Sequence, residues 1–137
     1  MSARRRPAAL AVLLLFLAAC GGDGSAGPSA PTSRPASTGT LAILSPKNGA
    51  TVNDPVELRV SLTGAKLVPT TTTTVVPDQG HLHVSVDGSL ITMTSGLKQA
   101  LPKLSPGTHV VQVEFVASDH APFDPRVIAS SSFEVTS

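Results

Sequence analysis

The stretch from His81 to Met93 constrains the fold more than any other part of the chain. Apolar and polar residues alternate up to Val86, the pair Asp87-Gly88 follows, and a second alternating run continues to Met93. Asp-Gly between two alternating runs is typical of a two-residue type I′ hairpin, because both residues tolerate positive φ. The sequence therefore predicts two antiparallel strands with one mainly apolar face and one face that carries His81 and His83.

The length of this turn fixes the expected register of the hairpin. A slip of one residue would move every side chain of a strand to the opposite face. In the expected register Met93 lies on the apolar face, which makes it a poor candidate partner for the histidines. The expected pairs are Val86 with Ser89, Val84 with Ile91, and Leu82 with Met93.

Three further segments alternate in the same way and predict strands, and a short apolar segment before them predicts one more. They are residues 56–62, 109–117 and 127–135, preceded by residues 41–44. No segment of the folded part shows the 3.6-residue repeat of an amphipathic helix. Five consecutive threonines at residues 70–74 fit either an edge strand, since threonine is β-branched, or an exposed loop.

About seven short strands separated by turn signals predict an all-β fold, an antiparallel immunoglobulin-like β-sandwich at residues 41–137. The likeness to immunoglobulin domains is one of architecture. The chain has one cysteine and no tryptophan, so the Cys–Trp–Cys core of true immunoglobulin domains is absent. The core must hold without a disulfide inside the chain.

The first 20 residues have the pattern of an export signal. Three arginines at positions 4–6 precede an apolar stretch at residues 8–19, shorter than the roughly 20 residues that a membrane-spanning helix needs. The segment Leu17-Ala18-Ala19-Cys20 ends on the only cysteine. It resembles the lipobox of bacterial lipoproteins. The resemblance implies that residues 1–19 are removed and that Cys20 carries a diacylglyceryl group.

This resemblance implies a protein anchored by its lipid in the cell membrane and facing the extracytoplasmic side. Residues 20–40 are mostly Gly, Ser, Ala, Pro and Thr, which bury too little apolar surface to fold, and we predict a disordered linker there. Loss of the three signal arginines leaves seven basic and nine acidic side chains, a net charge of −2. This charge argues against a nucleic-acid partner.

A second resemblance covers most of the predicted sandwich, from Leu41 to Thr136. The segments Gly80-His81-Leu82-His83 and Pro106-Gly107-Thr108-His109, with His120-Ala121-Pro122 after them, are similar to those of a group of small bacterial β-sandwich modules. The resemblance implies the sandwich fold. These modules have no established activity, so it implies no ligand.

Histidines are the candidate binding residues of this chain. His81 and His83 are two residues apart on one predicted strand, so both rings project from the same face. Imidazole ligates zinc, copper and nickel, and His120 would supply a third ligand if its loop folds over the hairpin. The simpler interpretation is a polar sheet face on which the rings bond water or hydroxyl groups. We expect His109 at the margin of the core.

The sequence thus favours a non-catalytic binding module on an envelope lipoprotein, with an unidentified ligand and an envelope protein as candidate partner. The alternative is a lipoprotein that binds Zn or Cu through His81, His83 and His120. Apart from the covalent lipid on Cys20, no cofactor is predicted. No enzyme is predicted either, because the chain has no Gly-x-Ser-x-Gly elbow and no Gly-rich phosphate loop before a helix.

Overall fold

A computed structural model describes residues 33–136, and all regular structure in that range is β-strand. The predicted all-β fold is confirmed, with nine strands instead of about seven because three of them are only two or three residues long. In this part of the chain no helix is long and apolar enough to cross a membrane. The strands are β1 (Thr40–Ser45), β2 (Thr51–Asn53), β3 (Glu57–Thr63), β4 (Lys66–Leu67), β5 (Gln79–Val86), β6 (Ser89–Thr94), β7 (Lys98–Ala100), β8 (Gly107–Ala117) and β9 (Pro122–Thr136).

The strands form two sheets packed as an immunoglobulin-like sandwich. The smaller sheet has the order β1-β3-β7, and the larger has the order β2-β9-β8-β5-β4, with β6 also paired to β5. Most pairs are antiparallel, as predicted. Two pairs, β2 with β9 and β4 with β5, are parallel instead. Both are short pairings at the margin of the larger sheet, where the chain arrives through a crossover and not through a hairpin.

The core lies between the two sheets and is built from alternate residues of their strands. In β8, Val111, Val113 and Phe115 are fully buried, whereas Gln112 and Glu114 on the other face are half-buried. Full burial of a valine or phenylalanine side chain contributes about 1.5–3 kcal/mol, so the apolar core can hold the domain without a disulfide. The smaller sheet adds Leu41, Leu58 and Val60 to this core, Val56 joins it from just before β3, and the larger sheet adds Leu82, Val84, Val86, Phe133 and Val135.

The β5–β6 hairpin forms at the predicted turn but changes register after it. Asp87 and Gly88 have φ values of 50° and 81°, as a type I′ turn requires. Ile91 is then an extra residue, a β-bulge that shifts all later pairs by one. The predicted pairs of Val84 with Ile91 and of Leu82 with Met93 are therefore wrong. The observed pairs are Val86 with Ser89, Ser85 with Leu90, Val84 with Thr92, His83 with Met93, and Leu82 with Thr94.

The compact unit begins at Ser33, before the predicted domain boundary at Leu41. Residues 33–39 have no regular structure, but they contact the sandwich. The Ser37 hydroxyl and the Thr38 backbone N–H both donate to Asp78 Oδ1, at 2.8 and 2.6 Å. The end of the predicted linker is therefore part of the folded unit. The predicted signal, Cys20 and residues 21–32 lie outside the described residues.

The threonine run at residues 70–74 forms a loop between β4 and β5, so the loop alternative describes it and the edge strand does not. This loop carries the chain from the end of β4 back to the start of β5, so that the two strands pair in parallel. The later part of β5 then enters the sheet between β8 and β6.

Strands β5 and β8 approach closely at Gly80. A Cβ added there would lie 1.8 Å from the Val116 carbonyl oxygen and 3.2 Å from Phe115 Cε2. We expect Gly80→Ala to lower the free energy of unfolding by about 3 kcal/mol or more, because backbone must move to admit the methyl group. Urea denaturation of the full chain, followed by far-UV circular dichroism because the chain has no Trp or Tyr, measures the loss.

Gly96→Ala is the control for this experiment. A Cβ at Gly96 would find its nearest neighbour, the Thr94 hydroxyl oxygen, at 3.4 Å, which is an ordinary contact. The control should unfold within about 1 kcal/mol of the wild type. Equal stability of the two variants would contradict the close approach of β5 and β8.

Candidate metal centre

Three histidines converge on the face of the larger sheet that points away from the core. β5 carries His81 and His83, and the turn between β8 and β9 carries His120. The ring centroids of His81 and His120 are 4.4 Å apart. The ring centroid of His83 lies 5.3 Å from that of His81 and 5.7 Å from that of His120. One potential ligand nitrogen from each ring lies within 4.8 Å of the other two. The turn of His120 thus folds over the hairpin, as it must if His120 is to act as a third ligand beside His81 and His83.

His81 is fully buried, which excludes the solvated sheet face that the sequence suggested for it. Its Nε2 forms a 2.9 Å hydrogen bond with His120 Nδ1, in which one nitrogen donates its hydrogen and the other accepts. Two buried nitrogens of the cluster, His81 Nδ1 and His83 Nε2, have no hydrogen-bond partner among the described residues. An unpartnered buried polar atom costs about 1–3 kcal/mol, so this cluster requires an explanation other than stability.

Burial also sets the protonation of these rings. Burial, followed by the nearby His120 and His83, lowers the pKa of His81 to about 4. Burial and His120 likewise lower the pKa of His83, against the opposing effect of the Glu114 carboxylate. Both rings are therefore neutral at pH 7, the state in which imidazole ligates a metal ion.

Arg34 holds the turn that carries His120. Its guanidinium donates two hydrogen bonds to the Asp119 carboxylate, at 2.6 and 2.9 Å, and two more to the carbonyl oxygens of Ala121 and Pro122. The same pairing lowers the pKa of Asp119 to about 2. A bidentate arginine–carboxylate pair fixes orientation as well as position. Arg34, which the sequence analysis assigned to the linker, therefore orients the third histidine.

Two side chains flank His83 across the sheet. Met93 on β6 and Glu114 on β8 are its direct cross-strand partners. Glu114 accepts hydrogen bonds of 2.7 and 2.6 Å from Arg126, so its charge is paired. Met93 is 46% exposed. The alternation in the sequence predicts Met93 on the face opposite the histidines, and this prediction is wrong because the bulge at Ile91 reverses the face of Met93.

His109 lies apart from the cluster, at the other end of β8, and packs at the margin of the core as predicted. Its ring nitrogens bond the Asp87 carboxylate at 2.7 Å and the Ser105 carbonyl oxygen at 2.8 Å. The hydrogen bond to Asp87, followed by that to Ser105, raises the pKa of His109. Both ring nitrogens are thus occupied, and His109 ties the β5–β6 turn to β8.

The histidines of the described residues have no nucleophile as a hydrogen-bond partner. Their side-chain partners are each other, in the pair of His81 with His120, and Asp87. A serine or cysteine bonded to a histidine would indicate covalent catalysis. Three open clefts of about 370–480 Å³ lie elsewhere on the domain, and no histidine lines them. The cluster therefore offers ligand atoms without an adjacent nucleophile.

Comparisons with known proteins give similarities of fold only. No protein-family model matches the chain, and no curated protein matches it. Among solved structures, the chain is similar to the fibronectin(III)-like modules of Clostridium thermocellum CbhA, at 16% identity and a TM-score of 0.48, over 72% of this chain and 46% of that one. It is also similar to the PKD domain (329–428) of human KIAA0319, at 19% identity and a TM-score of 0.44, over 85% of this chain and 92% of that domain.

An engineered protein is similar over 72% of this chain at 16% identity and a TM-score of 0.47. The chain spans 20% of the engineered protein and 46% of the CbhA structure. At these identities and TM-scores, the similarities carry no argument about ligand or partner.

The buried cluster makes the stability of the metal-free protein depend on pH. Imidazole in the unfolded chain titrates near 6.5, whereas the pKa of His81 in the folded protein is about 4. Between these values the unfolded chain binds more protons, so stability falls as the pH is lowered. We expect a loss on the order of 2 kcal/mol between pH 6.5 and 4.5, measured by urea denaturation of the full chain with a metal chelator present.

Two variants test whether His81 causes this dependence of the unfolding free energy on pH. His81→Gln removes the ring whose pKa is about 4 and should reduce the dependence on pH, leaving the part that the lowered pKa of His83 contributes. His109→Gln should leave the loss of stability between pH 6.5 and 4.5 unchanged. The pKa of His109 is raised in the folded protein, so the stability that its protonation contributes is complete below pH 6.5 and is lost only at higher pH. The Asp119 carboxylate, whose pKa in the folded protein is about 2, stays ionised there throughout this window. An unchanged slope in His81→Gln would show that the ring is not held neutral by burial.

Proposed function

We propose that this chain is a lipid-anchored envelope protein whose β-sandwich binds a transition-metal ion through His81, His83 and His120. The immunoglobulin-like sandwich is consistent with a binding module, and the observation that supports a metal ion as its ligand is the histidine cluster. Three ring nitrogens lie within 4.8 Å of one another, and His83 Nε2 is buried without a hydrogen-bond partner among the described residues. The sequence favoured a module with an unidentified ligand; the geometry supports the metal alternative more directly.

The spacing of the rings suits a tetrahedral ion after a small closure. Zn–N bonds of about 2.0–2.1 Å place two ligand nitrogens about 3.3 Å apart. The closest pair, His81 Nε2 and His120 Nδ1, is already at 2.9 Å, and the cluster as a whole lies within 4.8 Å. His120 is exposed and lies in a turn, so rotation of its ring supplies part of the adjustment. To ligate an ion, both nitrogens of this pair would have to be unprotonated, so each neutral ring would carry its one proton on its other nitrogen, His81 on Nδ1 and His120 on Nε2.

The anchor rests on the segment Leu17-Ala18-Ala19-Cys20, which lies outside the described residues. Each buried CH₂ of a lipid contributes about 0.8 kcal/mol, so two or three acyl chains on one cysteine hold a protein stably at a bilayer.

Calorimetric titration of the full chain, purified in detergent and freed of metal, tests the site. At pH 7 we expect one Zn²⁺ or Cu²⁺ ion per chain, with a dissociation constant of roughly 1 μM or lower. His83→Gln and His120→Gln should each weaken binding by at least about 100-fold, because each removes one of three ligands.

His109→Gln is the matched control, since it changes a histidine outside the cluster, and it should bind as the wild type does. Dissociation constants near 1 mM for the wild type would overturn the proposal. So would tight binding that survives in both cluster variants.

Fatty-acid labelling in a bacterial host tests the anchor. The wild-type chain should incorporate the label and partition into the detergent phase, whereas Cys20→Ser should do neither because its hydroxyl cannot form the thioether. Ser25→Ala, five residues further along, should behave as the wild type. Membrane partitioning of Cys20→Ser equal to that of the wild type would refute the lipid anchor.

A further inference from the structure

Met93 is an exposed methionine with no evident role in the core. It lies on β6 with 46% of its surface exposed, directly opposite His83. Regular alternation along β6 would have placed it opposite Leu82, on the core face. The bulge at Ile91 moves it to the face of the histidines, and bulges near functional sites commonly redirect a side chain in this way.

We infer that Met93 is a fourth ligand of the histidine cluster and that the ion bound there is Cu(I). This inference rests on the proposed function and names its ion. Direct cross-strand partners have Cβ atoms about 4.5–5.5 Å apart, with both side chains on the same face of the sheet. His83 Nε2 is buried, and no described residue forms a hydrogen bond with it. A methionine side chain has three rotatable bonds, so its sulfur can reach an ion beside that ring without movement of the backbone.

The donor set indicates which ion is preferred. Thioether sulfur is a soft ligand that selects Cu(I), whereas imidazole alone serves zinc, copper and nickel. Three imidazoles would accept Zn²⁺ or Cu²⁺ without any contribution from a thioether. Met93 is therefore the residue of the cluster that separates Cu(I) from the other ions.

The charges around the cluster favour a monovalent ion for a second reason. The two carboxylates nearest the histidines in sequence or register are already paired, Glu114 with Arg126 and Asp119 with Arg34. The ligand set of three neutral rings and one thioether then carries no negative charge. Burial of a divalent ion without an anionic ligand costs more than burial of a monovalent ion, because desolvation rises steeply with charge.

Competition for Cu(I) under anaerobic conditions tests this inference. The full chain in detergent is titrated against the chromogenic Cu(I) chelator bathocuproine disulfonate, and Zn²⁺ binding is measured in parallel. Met93→Leu keeps the side-chain volume, so packing is preserved. We expect it to weaken Cu(I) binding at least about tenfold and to leave Zn²⁺ binding within about twofold of the wild type. X-ray absorption should detect sulfur at the copper in the wild type and not in the variant.

Leu90→Ala is the matched control, because Leu90 is the other large, exposed apolar residue of β6, at 52% exposure. It should bind both ions as the wild type does. Unchanged Cu(I) binding in Met93→Leu, while His83→Gln still loses Zn²⁺, would overturn the inference and leave the proposed function standing. Equal losses of Cu(I) and Zn²⁺ in Met93→Leu would also overturn the selectivity. Absence of binding of all three ions by the wild type would remove the proposed function and this inference together.

Discussion

The pairing of β5 with β8 is the constraint on which both the core and the histidine cluster depend. Gly80 lets the two backbones approach so closely that no Cβ fits beside the Val116 carbonyl oxygen. The same register places His83 opposite Glu114, and Val84 opposite Val113 in the core. Because side chains alternate along a strand, one slip of register would exchange the core face and the histidine face. The fold and the cluster are therefore specified by the same set of backbone hydrogen bonds.

The cluster has a cost in the metal-free protein, and the surrounding contacts keep it in place. Within residues 33–136, His81 and His83 each bury a ring nitrogen without a hydrogen-bond partner, and the Ser118 hydroxyl in the neighbouring turn is likewise buried without one. His120 has a φ of 64°, in the left-handed region that few residues other than glycine adopt readily. Four hydrogen bonds from Arg34 hold this turn against those costs. A bound ion would offset them, since metal affinity contributes directly to the stability of the folded state.

The sequence predicts those features that depend on neighbouring residues and misses those that depend on distant ones. Alternation identified the core face of β8, and Asp87-Gly88 identified the hairpin turn, because both signals act within a few residues. The bulge at Ile91 adds one residue to a strand and leaves no mark in composition, so the position of Met93 was predicted wrongly. The contact between Arg34 and Asp119 joins positions 85 residues apart, and no local pattern reports it.

The bulge resolves a conflict between two side chains of β6. Ile91 and Met93 are two residues apart, so in a regular strand both would point to the same face. Ile91 is half-buried and packs against the core, whereas Met93 faces the histidines. The extra residue separates them, and the half-buried Thr92 and Thr94 take the core-side positions, opposite Val84 and Leu82. One added residue thus keeps the contact of Ile91 with the core and pairs Met93 with His83, which regular alternation cannot do.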